Sequence, residues 1–198
     1  MTDDSGPIHP LWLRVTHWMN ALAVVIMVMS GWRIYDADPF FGFVIPKSVT
    51  LGGWLAGALQ WHFAAMWLLA ANGLAYLACN VASGRVWRKF FPLSARAVMA
   101  DVRAALRGLL KHDDLRAYNA VQRAAYLFVI ADCVLLVLSG LVLWKPVQFS
   151  LLRELMGDYE AARRVHFLAM VALVAFVGVH LVMSALVPRA LLAMIRGR

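Results

Sequence analysis

Four histidines, His17, His62, His166 and His180, carry the residue chemistry that this sequence can offer. Two of them, His166 and His180, stand fourteen residues apart, with the uncharged run FLAMVALVAFVGV between them. On a helix, fourteen residues rise about 21 Å and return to nearly the same face. Ionisable groups inside so apolar a segment are costly and point to function. The structural alternative is two interfacial histidines packed against their neighbours. The two cysteines, Cys79 and Cys133, both fall within apolar segments. They make no disulfide framework, no iron–sulfur ligand cluster and no Cys-x-x-Cys-His haem attachment. Any redox chemistry in this chain must therefore use histidine.

The elements that position these residues follow from composition. Of 198 residues, 63% are hydrophobic and only 15% charged, the balance of a membrane protein rather than a soluble domain. The pattern predicts an all-α, integral membrane four-helix bundle, one domain over residues 1–198. Its spans cover about residues 11–34, 54–81, 120–144 and 162–186, each long enough to cross a ~30 Å hydrocarbon core. Pro39, Pro46 and the Gly52-Gly53 pair break the chain after span one, and Lys145-Pro146 stops span three. The opening MTDDSGP lacks the positive start of a cleavable signal peptide. No fixed-period repeat stands out.

The net charge of +8 could suggest a nucleic-acid partner, but its distribution suits membrane topology, and no nucleic acid is needed. Arg85, Arg88, Lys89, Arg96, Arg103, Arg107, Lys111, Arg116 and Arg123 crowd the stretch around the 83–119 loop, opposed by Asp101, Asp113 and Asp114. The excess puts that loop and both termini in the cytoplasm. Within the loop, Arg96, Arg103 and Arg107 share one helical face, and Val98, Val102, Leu106 and Leu109 the other. This suits a short helix on the membrane surface, or equally a solvated helix packed on the bundle. Trp12, Trp18, Trp54, Trp61, Trp87 and Trp144 read as an interfacial belt, and the ten methionines as packing. His9 and His112 read as solvated.

Topology then sorts the four histidines by depth. His17 pairs in level with His180 near the cytoplasmic face, and His62 with His166 near the outer face. A single four-histidine zinc site is excluded by the ~21 Å between levels, and two-ligand zinc sites fall short of the usual three or four. A haem needs only two axial ligands from the protein. Bis-histidine ligation leaves no open position for oxygen, so the implied task is electron transfer. Ala64 and Ala65 beside His62, with Gly73 and Gly178, suit a flat macrocycle and equally suit plain helix packing.

LRVTHWMNALAVVIMVMSGW, QWHFAAMW, YNAVQRAAYLFVIADCVLLVLSGLVLW and RRVHFLAMVALVAFVGVHLVMS together resemble the prokaryotic di-haem cytochrome b family. That family includes bacterial cytochrome b561 and the b-type membrane subunits of nickel–iron hydrogenases, formate dehydrogenases and thiosulfate reductases. The resemblance implies two haem b groups, with His17 and His180 as one axial pair and His62 and His166 as the other. Tyr118-Asn119-Ala120-Val121-Gln122 is similar to the formate dehydrogenase type, which makes Asn119 a quinone contact and Gln122 a weaker one. The alternative for Asn119 is a helix N-cap. Arg14, three residues before His17, could pair a haem propionate or anchor the span on the cytoplasmic side. Asp132, in mid-span, is either hydrogen-bonded to a neighbouring helix or part of a proton path.

The expected function is electron transfer across a bacterial inner membrane, between the quinone pool and a partner oxidoreductase subunit. This chain lacks flavin, molybdopterin and iron–sulfur signatures, so a catalytic subunit would be another polypeptide, and the resemblance implies a periplasmic molybdenum or nickel–iron enzyme. Two alternatives remain open: a stand-alone cytochrome b561 passing electrons from superoxide to quinone, and a haem-free membrane anchor or transporter.

Overall fold

The computed structural model describes residues 8–84, 93–107 and 118–197. It is all-α, with no strand among the described residues: α1 Leu11–Tyr35, α2 Leu55–Ala82, α3 Ala95–Leu106, α4 Ala120–Trp144, α5 Ser150–Leu155, α6 Tyr159–Leu186 and α7 Pro188–Arg196. Helices α1, α2, α4 and α6 are long and apolar enough to cross a membrane. Three of them match their expected spans to within a residue. α6 begins earlier than its apolar stretch, at Tyr159, because Asp158 caps it: Oδ1 accepts the Ala161 N–H at 2.6 Å. Apolarity marks the part of a helix that meets lipid, whereas the cap marks where the helix starts. Expectations placed on Arg85, Trp87, Arg88, Lys89, Leu109, Lys111, His112, Asp113, Asp114 and Arg116 lie outside the described residues.

The chain divides into two compact units, residues 1–84 with 192–198, and residues 85–191. In the first, α1 and α2 form a hairpin whose buried positions are mostly small: Ala23 and Ser30 on α1, Gly57, Ala58 and Ala65 on α2. Lipid tails are as apolar as leucine, so helices in a bilayer gain from close backbone approach rather than from apolar bulk. The larger apolar side chains, Leu22, Val25 and Leu74 among them, are exposed, as lipid requires. The connecting loop is tied down. Tyr35 Oη donates to the Phe41 and Phe43 carbonyls at 3.0 Å each, Asp36 Oδ1 accepts the Ile45 N–H at 2.8 Å, and the Met29 carbonyl accepts the Leu51 N–H at 3.0 Å. Gly52 has φ +104°, and a Cβ there would fall 2.3 Å from the Ala58 nitrogen. Only glycine lets the loop return so closely onto the first turn of α2.

At the opposite end of this hairpin, Arg14 caps the end of α7. Its Nε donates to the Met194 carbonyl at 3.2 Å and its Nη2 to the Ile195 carbonyl. The Ile8 N–H donates to the Gly197 carbonyl at 2.9 Å. His9 is thereby half-buried rather than solvated.

In the second unit, α4 packs on α6 through Ser139 and Val142 against Ala162, Ala169 and Leu173. The start of α4 is doubly capped. Asn119 Oδ1 accepts the Gln122 N–H at 2.8 Å while Gln122 Oε1 accepts the Asn119 N–H at 3.1 Å, and Asp101 Oδ2 on α3 accepts the Ala120 N–H at 2.7 Å. The loop helix docks on α4 through Asp101, and it leaves Met99 and Val102 exposed on its apolar side.

Candidate haem ligands

His62 projects from α2 toward Ser30 of α1, with Ser30 Oγ 3.0 Å from His62 Nδ1. The same hydroxyl lies 2.6 Å from the Ile26 carbonyl and 3.2 Å from the Met27 carbonyl of its own helix. A hydroxyl has one hydrogen and a carbonyl can only accept, so that hydrogen is directed into the helix. Toward the imidazole, Ser30 is left as an acceptor. Nδ1 then carries the ring proton, and the lone pair of the neutral ring resides on Nε2, the nitrogen a metal would take.

The second unit repeats this seat with different residues. Ser139 Oγ on α4 lies 3.0 Å from His166 Nδ1 on α6, 2.7 Å from the Leu135 carbonyl and 3.2 Å from the Leu136 carbonyl. Both serines are fully buried. Each is followed by a glycine that faces the ring edge, with less space to spare at Gly140 than at Gly31. A Cβ on Gly31 would stand 3.5 Å from His62 Cε1, and one on Gly140 would stand 3.3 Å from His166 Cε1.

Neither serine nor either of these glycines stands out by residue type in the sequence, yet a signal exists. Ser-Gly recurs at 30–31 and 139–140, and Ala-x-x-x-His-Phe-x-Ala-Met recurs at 58–66 and 162–170. The alanines four before and three after each histidine lie on its helical face and are buried, which lets the partner helix come close. The unequal separations within the two copies hide this correspondence from a search for a fixed period.

His17 sits on α1, edge-on to Trp18 with ring centroids 5.4 Å apart. Around it, Asn72 of α2 donates to the Thr16 carbonyl and to Asn20 Oδ1, both at 2.7 Å. His180 on α6 lies parallel to Phe176, with centroids 6.1 Å apart and planes 8° from coplanar. His17 and His62 belong to the first unit, His166 and His180 to the second. The residues present fit haem b. Two of the four imidazoles meet a buried serine hydroxyl at Nδ1, which would leave Nε2 for a metal, and Cβ atoms on Gly73 and Gly178 would meet nothing within 4 Å, which leaves open ground for a flat group.

The remaining candidates are less committed to a ligand. Arg14 spends Nε and Nη2 on the end of α7, so a propionate would have to be met through the rest of its guanidinium. The carbonyl oxygens of Asn119 and Gln122 are used in the capping box, and their amide NH2 groups are the parts that a quinone would meet. Asp132 is buried, and its Oδ2 has no hydrogen-bond partner among the described residues.

These arrangements have recognisable relatives. The chain is 71% identical over 197 residues, all of both proteins, to a putative protein-methionine-sulfoxide reductase subunit YedZ1 of Azospira oryzae. It is 26% identical over 185 residues to a probable Ni/Fe-hydrogenase B-type cytochrome subunit of Cupriavidus necator, covering 85% of this chain and 74% of that one. No solved structure matches the chain. Residues 8–197, running through both units, match the prokaryotic cytochrome b561 family, and the chain belongs to that family: it is a b-type cytochrome and a multi-pass bacterial membrane protein.

Proposed function

We propose that this cytochrome is the membrane electron-transfer subunit of a two-component oxidoreductase, with two haem b groups linking the quinone pool to a partner protein. His17 with His180 would hold one group, and His62 with His166 the other. Haem b, when bound, supplies reversible one-electron chemistry, and two histidine ligands close the iron to oxygen. The observation that carries this reading is the matched serine seat of His62 and His166. Two imidazoles at the same expected depth are prepared in the same tautomer, which separate structural roles would not require.

The relative that matches over its whole length at 71% identity supports a partner that reduces methionine sulfoxide in proteins. That half-reaction consumes two electrons and two protons and yields methionine and water. A quinol supplies two electrons and releases two protons on becoming quinone. Electrons would therefore run from quinol to the partner. The sulfoxide chemistry itself would belong to that partner, a separate periplasmic metalloenzyme; molybdenum or nickel–iron is the expected class. With both termini cytoplasmic, Asn119 and Gln122 would meet the quinone near the inner haem, and the Arg163–Arg164 end of α6 would face the partner. Membership of a cytochrome family speaks against a haem-free transporter.

A pyridine haemochrome assay on the detergent-purified protein tests the cofactor content, and about two protohaems per chain are expected. In membranes containing the partner, quinol should drive reduction of methionine sulfoxide in a test protein, and omission of either polypeptide should stop it. Superoxide-driven quinone reduction by the purified chain alone would favour the stand-alone reading.

A further inference from the structure

We infer that Ser30 and Ser139 are positioning residues that set the tautomer, ring orientation and donor strength of the two outer histidines, and so tune one haem selectively. The inference rests on the assignment of His62 and His166 as its axial ligands. The two seats agree in detail. Each serine is fully buried, each is 3.0 Å from a histidine Nδ1, and each sends its one hydrogen to the carbonyl four residues back. Each is followed by a glycine that meets the same ring edge, at Cε1. The back-bond settles polarity, since an oxygen that has donated its only proton can only accept from Nδ1–H.

The chemical consequence concerns strength as well as orientation. An acceptor on Nδ1–H makes the imidazole a better donor to a metal through Nε2, and this favours the oxidised iron. A carboxylate in that position pulls hardest on the proton; a neutral hydroxyl that is itself donating pulls moderately. Using a hydroxyl on both sides keeps both ligands neutral and moderately donating. Because both seats serve the same expected pair, the effect falls on one haem and leaves the other untouched.

The test compares Ser30→Ala, Ser139→Ala and the double alanine variant with Ser30→Thr and Ser139→Thr, all as purified full-length cytochrome. Redox titration and low-temperature EPR of the ferric haems provide the readouts. The alanine variants should raise the potential of one haem component, by up to about tenfold in the oxidised-to-reduced ratio or about 59 mV for one electron. They should also change its EPR line, with the double variant shifted furthest and the second haem unaltered. Threonine keeps a hydroxyl able to make the same back-bond and should restore both signals. Selective loss of that one haem in the alanine variants, regained with threonine, supports the same role. Alanine variants that keep two haems with unchanged potentials and EPR lines overturn it. Failure of the underlying assignment looks different: a wild-type chain without haem, or a His62→Ala variant that keeps both haems, would show that these histidines are not the ligands.

Discussion

The side chain of Asn72 on α2 donates to the backbone carbonyl of Thr16 on α1 at 2.7 Å, one residue before His17. Its second contact, to Asn20 at 2.7 Å, lies one turn beyond that histidine. The pair brackets His17 and fixes the register of the hairpin at that depth. Interhelical hydrogen bonds in membranes average about 0.6 kcal/mol and reach about 1.7. Asn72→Leu should therefore cost about 1–2 kcal/mol and weaken the haem ligated by His17 more than the other. Thermal loss of the two haem bands, followed separately, checks this; equal weakening of both bands would refute the local effect.

Gly31 and Gly140 perform the same service with unequal clearance. At 3.5 Å a new methyl on residue 31 makes ordinary contact with His62, whereas at 3.3 Å one on residue 140 forces His166 to give way. Gly31→Ala should leave the outer haem nearly unchanged. Gly140→Ala should shift its α-band or lower its occupancy. Optical spectra and haem counts on the two variants distinguish these outcomes, and a larger effect from residue 31 would contradict the seat geometry.

Why the spans could be read from the sequence and the seats could not is a matter of how much each constrains composition. A run of twenty apolar residues has few stable fates besides a membrane helix, and the charges of the loops orient it. Histidines inside such runs stand out because their cost is high. A serine in an apolar helix, by contrast, ordinarily bonds back to its own carbonyls and gives no hint of a partner. Ser30 and Ser139 do bond back, and their second contact exists only because α2 and α6 arrive at the right height. Gly178 lies two residues from His180 and Gly73 shares a helical face with His62, while Gly31 and Gly140 face the rings from another helix. Arg14 shows the same limit: its place beside His17 in sequence hid its bonds to the end of α7.

Asn119 joins two roles that can be separated chemically. Its carbonyl oxygen caps α4, and its amide NH2 is the group assigned to quinone. Asn119→Asp keeps a good cap, since asparagine and aspartate are near equivalents there, and removes the amide donor. Quinol-driven haem reduction should fall about fivefold, as expected for the loss of one hydrogen bond near 1 kcal/mol, without a change in melting. Asn119→Ala should lose both, with stability down by about 1 kcal/mol. Unchanged quinol kinetics in the aspartate variant would leave Asn119 as a cap and nothing more.

The proposed histidine pairing makes the most exposed prediction, because it commits each of the four residues to one of two haem groups. His62→Ala and His166→Ala should each delete the haem component whose potential responds to Ser30 and Ser139. His17→Ala and His180→Ala should delete the component that responds to Asn72. Each deletion should leave about one protohaem per chain, since each group would be held by two histidines. Redox titration of the four single variants would show two matched pairs of losses. If His17→Ala and His62→Ala removed the same component, the two hairpins would have to be threaded through the membrane differently, and the direction from quinol to partner would have to be drawn again.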